Sequence, residues 1–153
     1  MDFDKNFLLK LKLMFSNPDE LFNTVKKEIG IANAMIMLLS VSILITGLKI
    51  VFTSFLFSFM SSEFDIMPLY WSIGLLFGIP FILLSSFVYP FLIFIFLYLC
   101  KIRARYSETY KAFTYAMIPS IILSVIPIIG FLGFIYSFYL AIVGVAALNY
   151  REL

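Results

Sequence analysis

The 153-residue chain contains no histidine and a single cysteine, Cys100. One cysteine excludes an intrachain disulfide, and the lack of histidine excludes the common Cys/His metal sites. Charge is scarce: Asp, Glu, Lys and Arg make up 13% of the residues. A soluble globular domain carries about 25%. The long apolar segments hold no Asp, Glu or His at depth, so no acid, base and nucleophile can converge there as an enzyme requires. Hydroxyls are present (Ser40, Ser42, Thr46, Ser85, Ser86, Ser124, Ser137), but none has a candidate base. In apolar helices such groups usually satisfy backbone carbonyls or bridge helices. Phosphate-loop and metal-ligand spacings are also missing. These absences lead us to expect no enzymatic activity and no cofactor. Asp2 and Asp4 stand where a secretory signal would carry positive charge, so no signal peptide is expected.

The chain is instead rich in apolar residues: 63% hydrophobic and 19% aromatic, with a mean hydropathy of +1.05. That composition suits a polytopic integral membrane protein, an all-α helical bundle. Net charge is only +2, but the charges are segregated along the chain.

Two regions follow from this segregation: amphipathic cytoplasmic or interfacial helices over 1–30, and a membrane-spanning domain over 31–150. In residues 1–15, Phe3, Phe7, Leu8, Leu11, Met14 and Phe15 recur at helical spacing, while Lys5, Lys10 and Lys12 lie mostly on another face. Asn17 and Glu20 are placed as a capping box with Pro18 at the first helical position. The short helix they start runs to about Glu28, with Leu21, Phe22, Val25 and Ile29 on one side, and Gly30 breaks it.

The spacing predicts a first span over about 31–52, with Lys49 near its outer end placed to snorkel to the headgroups. Residues 53–67 carry Glu63 and Asp65 but no Lys or Arg, and read as an outer loop. The stretch from Pro68 to Cys100 is too long for one straight span and short for two. Keeping both basic regions on one side favours a single span over about 81–100. A shorter interfacial or re-entrant helix, about 70–78, would precede it. Gly74 and Gly78 form a GxxxG pair within that helix. Two further spans, about 108–126 and 131–148, complete a count of four with both termini cytoplasmic, where Tyr150 and Arg151 form an anchor. Five spans is the alternative.

A basic loop stands ahead of the third span. Lys101, Arg103, Arg105 and Lys111 crowd it, and such density marks the cytoplasmic side. Together with Glu108 these residues are candidates for contacting a partner or anionic lipid. Nucleic acid is not expected, because topology and lipid already account for four charges beside a membrane. Ser107 is placed as an N-cap, with Glu108 favourably set in the first turn. Glu108, Ala112, Tyr115 and Pro119 form one stripe, either a docking surface or an internal packing seam. Pro127 and Gly130 are expected to turn the chain, and Gly133, Ser137, Ala141 and Gly144 then present one small-residue face for close helix packing. Cys100, at the membrane edge, is compatible with S-acylation or with plain packing.

Residues 108–119 (ETYKAFTYAMIP), with the aromatic-small pair Tyr115-Ala116 and Pro119, resemble the YIP family of Ypt/Rab-interacting multi-pass membrane proteins in its prokaryotic form. The turn Ile126-Pro-Ile-Ile-Gly130, the Gly-containing last span and the opening Asn17-Pro18-Asp19-Glu20-Leu21-Phe22 fit the same pattern, which covers about residues 16–150. The resemblance marks Tyr115, Pro119, Pro127 and Gly130 as family-motif packing positions. It implies a non-enzymatic scaffold or adaptor that organises other membrane proteins, copies of itself, or membrane shape. The Asp-Leu-Tyr-Gly-Pro type motif and the long N-terminal domain of eukaryotic members are not found in this sequence, which argues against a Rab-type GTPase partner. If the host is prokaryotic, the membrane implied is the plasma membrane. The alternative function is a small oligomeric transporter or channel component, suggested by the broken look of residues 68–90.

Overall fold

The structure is a computed structural model describing residues 3–60, 67–102 and 104–149, with side chains described for 6–55, 77–102, 104–126 and 129–149. Within them, all regular secondary structure is helical: α1 (Phe3–Ser16), α2 (Pro18–Lys26), α3 (Ala32–Met60), α4 (Met67–Leu99), α5 (Tyr106–Leu123) and α6 (Pro127–Asn149). Three stretches are long and apolar enough to cross a bilayer: Ala32–Phe55, Phe77–Leu99 and Ile129–Asn149. Most of their surface faces outward, as lipid-facing apolar residues can.

Helix α5 is the axis of the bundle. Helices α3, α4 and α6 pack on it, and α2 joins them. Thr109 to Ala112, Thr114 to Ala116, Ile118 and Pro119 are all buried. This explains why the expected span at 108–126 is not among the three apolar stretches. A helix wrapped by protein has no need of an apolar exterior, and α5 carries Glu108, Thr109, Lys111 and Thr114 inward. Its 18 residues reach about 27 Å, close to the thickness of a ~30 Å core.

Helix α4 corrects the expectation of a broken segment. It is one continuous helix of 33 residues, with Pro80 and Pro90 inside it. The separate helix at 70–78 is merged into it, and the five-span alternative falls, because an unbroken helix cannot cross twice. Each proline removes a single amide donor, which a membrane helix tolerates, whereas a break would leave several backbone groups unsatisfied in hydrocarbon. Helix α3 likewise continues to Met60, so residues 53–60 of the expected outer loop are helical. Residues 61–66 and the Tyr150–Arg151 anchor lie outside the described residues.

Helix ends account for the other differences. The Asn17 cap forms, the Glu20 amide donating to Asn17 Oδ1 (3.3 Å), but the reciprocal bond of a capping box does not: the Asn17 backbone amide donates to the Leu13 carbonyl (2.9 Å), and Glu20 Oε2 accepts from Asn17 Nδ2 (3.1 Å) instead. Gly30 breaks the chain at φ +75°. Helix α2 stops at Lys26, so Ile29 lies beyond it and is 96% exposed rather than packed. Ser107 is not the N-cap of α5. The helix starts at Tyr106, and the Arg105 amide at its N-cap donates to Asn149 Oδ1 (3.1 Å), tying the open end of the α5–α6 hairpin.

The closed end of that hairpin is tighter than the sequence suggests. Residues 124–126 alone make the turn, and Pro127 opens α6, where its fixed φ and missing donor suit a first helical position. Gly130 then sits inside the first turn of α6. A Cβ there would stand 3.2 Å from Ser124 Cα, so its role is close backbone approach.

Candidate functional site

The arm formed by α1 and α2 folds back onto the α5–α6 hairpin, and a buried ionic cluster forms where they meet. Lys10 comes from α1, Glu28 from just past the end of α2, and Glu108, Lys111 and Tyr115 from α5. Residues 108, 111 and 115 share a face because steps of three and four bring helix positions into line. Lys10 and Glu28 form an ion pair, both side chains being only slightly exposed. Lys10 Nζ also donates to the Tyr115 hydroxyl (3.0 Å) and lies 5.3 Å from that ring's centroid. The Tyr115 hydroxyl donates in turn to Glu28 Oε2 (3.1 Å). Lys111 Nζ donates to the Glu28 backbone carbonyl (3.1 Å). It also stands 3.1 Å from Glu108 Oε2, at an angle too poor for a hydrogen bond, so that contact is coulombic.

Burying such charges is costly unless each is paired. Here two lysines face two glutamates, and the tyrosine both accepts and donates. The cluster is therefore neutral, with Glu108 Oε2 its one buried oxygen lacking a hydrogen bond, and its chemistry is cohesion: it fixes the arm to the bundle axis.

Apolar contacts fasten the same joint. Met14, Leu21, Phe22 and Val25 are fully buried. Phe22 fills a notch at Gly144, where a Cβ would come within 2.5 Å of its Cζ, beside Ala112. The Tyr136 hydroxyl donates to the Met14 carbonyl (2.5 Å), and the Tyr136 ring stacks on Phe15 at 6.0 Å and 10°.

The structure divides the residues singled out from the sequence. Lys101 and Arg105 are exposed at the end of the bundle, whereas Lys111 is 1% exposed and Glu108 half-buried in the cluster, off the loop surface. Arg103 lies outside the described residues. Lys101 ends α4 in the left-handed conformation, φ +60°. The Ile102 amide donates to the Leu97 carbonyl and the Lys101 amide to the Tyr98 carbonyl, each at 3.0 Å, the Schellman arrangement that usually places glycine at this position.

Tyr115 and Pro119 are buried in α5, so the stripe at 108–119 is an internal seam. The small face of α6 is likewise spent within the chain. Gly133 lies against Leu123 and Ser120, where a Cβ would come within 2.9 Å of Leu123 Cβ. Ser137 Oγ accepts the Ser120 amide (3.1 Å), next to Pro119. Ala141 lines a cleft between α4, α5 and α6, and Gly144 receives Phe22. Gly78 has nothing within 4 Å of where its Cβ would be, and the surroundings of Gly74 lie outside the described side chains. Cys100 is exposed with a free thiol.

Sequence reasoning missed Lys10, Glu28 and Phe22. The only signal was indirect: Lys111 stands three residues after Glu108 and four before Tyr115, a charge drawn into an otherwise packed stripe.

A family model described as Yip1 domain matches residues 12–152. No curated protein and no solved structure matches. The matched range takes in Glu28, Glu108, Lys111 and Tyr115, and begins two residues after Lys10.

Proposed function

This chain belongs to the Yip1 domain family, and on that premise we propose that it is a non-enzymatic membrane scaffold or adaptor. It is a multi-pass membrane protein of apolar helices. In this reading α5 crosses beside α6, giving four crossings with both termini and the Lys101–Arg105 loop on the cytoplasmic face. The membrane is the plasma membrane if the host is prokaryotic.

The observation that carries the reading is the neutral ionic cluster. The titratable groups the fold gathers at Glu28 are spent on holding the arm to α5, which makes a rigid body with exposed basic residues at one end. Such a body can hold other membrane proteins, or a second copy of itself, through its exposed apolar faces and its basic end. Neither a Rab-type GTPase nor nucleic acid is among the proposed partners. The transporter alternative drew its support from a broken segment at 68–90, and the continuity of α4 removes that support.

The test is co-purification in native lipid particles followed by mass spectrometry, comparing the wild type with a variant carrying Arg103→Glu and Arg105→Glu. A membrane or peripheral partner recovered with the wild type and lost from the variant supports the adaptor reading. Solute flux by the purified, reconstituted chain would overturn it.

A further inference from the structure

We propose that the cleft between α4, α5 and α6 seats one acyl chain of an anionic phospholipid, with its headgroup held by Arg105 and Lys101. The inference rests on the chain's being a membrane protein and is independent of the scaffold role.

The cleft encloses about 370 Å³. Its floor is small, formed by Ala116, Ala141, Ser120 and Ser137, and aromatic side chains wall it, with Tyr89 from α4 and Phe138 from α6 on opposite sides. The outer walls are open: Phe138 is 66% exposed, facing where lipid would lie.

The two floor hydroxyls are already engaged. Ser120 Oγ donates to the Met117 carbonyl (2.7 Å), and Ser137 Oγ accepts the Ser120 amide. A buried water needs two to four polar partners, and with both floor hydroxyls engaged the lining adds only the hydroxyl of the half-exposed Tyr89. An apolar occupant fits instead, and a void of this size is disfavoured because its lining would lose its dispersion contacts.

Charge complementarity selects the headgroup. Arg105 closes the inner end of the α5–α6 seam through its amide bond to Asn149, and the cleft lies farther along that same seam. From Arg105 to Ala116 is about 16 Å at helical rise. One leaflet of the hydrocarbon core is about 15 Å deep. A lipid whose headgroup meets Arg105 would therefore bring the end of its acyl chain into the cleft. Lys101 stands exposed at the same end, and among the described residues neither cation has an ion-pair partner. Two exposed cations at the headgroup end of a seam whose apolar slot lies one leaflet farther in complement an anionic headgroup and its chain.

The test uses the purified full chain in nanodiscs containing phosphatidylglycerol with a photoreactive group near the end of one acyl chain. Crosslinks are mapped by mass spectrometry. The proposal expects them to concentrate at 113–120 and 134–141, and to be competed far better by unlabelled phosphatidylglycerol than by phosphatidylcholine. Arg105→Gln should reduce that headgroup preference about fivefold, the worth of one surface cation near anionic lipid. Ala141→Phe should fill the slot and abolish the concentrated labelling. Labelling spread evenly over the outer faces of α4 and α6, or equal competition by the two lipids, would overturn the proposal. The wild-type map and the surface variant Arg105→Gln decide the matter even if Ala141→Phe fails to fold.

Discussion

The ring of Phe22 occupies the space that a side chain on Gly144 would need: an ideal Cβ there would lie 2.5 Å from Phe22 Cζ and 2.7 Å from Cε1. The two residues are far apart in sequence, on α2 and α6, and their fit decides whether the N-terminal arm lies against the bundle. Gly144→Leu should therefore lift the arm while leaving the hairpin intact. Hydrogen exchange across residues 12–27 should accelerate, and overpacking should cost about 1–3 kcal/mol in detergent unfolding. Adding Phe22→Ala should recover part of that loss, because the smaller side chain vacates the notch.

The ionic cluster should behave as a coupled unit. Glu28→Ala leaves Lys10 buried without its carboxylate, and breaking a buried pair in this way costs about 3–5 kcal/mol. Replacing both partners, Lys10→Met with Glu28→Leu, should cost clearly less than the sum of the single changes. A double-mutant cycle by chemical denaturation measures the difference, and simple additivity would count against the pairing.

Two glycines offer a direct contrast. Gly78 has open space where a side chain would go, whereas Gly133 is pressed against Leu123 of α5. Gly78→Leu should not destabilise, and helix propensity should gain it up to about 1 kcal/mol. Gly133→Leu should cost about 1–3 kcal/mol, because the α5–α6 hairpin must open to admit it. Thermal unfolding of both variants in the same detergent makes the comparison.

Helix α4 ends on a lysine in the left-handed conformation, at φ +60°. A non-glycine residue there carries steric strain of about 1–2 kcal/mol. Lys101→Gly should therefore raise the stability of the helix end by up to that amount, less the entropy that glycine restores to the unfolded chain. It should also weaken binding to vesicles containing anionic lipid, since one exposed cation is lost. Unfolding and vesicle sedimentation separate the two effects.

Crossing number and orientation are testable with the natural thiol. Cys100 is the only cysteine, and it is exposed. With four crossings and a cytoplasmic loop, an impermeant maleimide should label Cys100 in inverted vesicles and not in intact cells. A cysteine introduced at Ser61 in a Cys100→Ser background should show the reverse pattern. Labelling of both positions from one side would refute the topology.

The sequence by itself determined that this chain is a helical membrane protein. Apolar runs of span length leave few other solutions, because only a helix or a closed barrel satisfies the backbone in hydrocarbon. It also determined local punctuation: the Asn17 cap and the Gly30 break depend on neighbouring residues alone, and both are present. The small residues of α6 could be picked out by spacing as well, though their spacing could not say that α5 and Phe22 were the partners. Other local signals misled because more than one outcome satisfies them. A proline permits a helix break without forcing one, so Pro80 and Pro90 lie within a continuous α4. Polar residues permit an exposed loop or a protein-covered axis, so Lys111 and Glu108 went inside with α5. Only the tertiary structure decided these cases. The energy of a buried charge depends on its partners: the carboxylate of Glu28 meets Lys10 from another helix, and the Glu28 backbone carbonyl accepts from Lys111, 83 positions away along the chain.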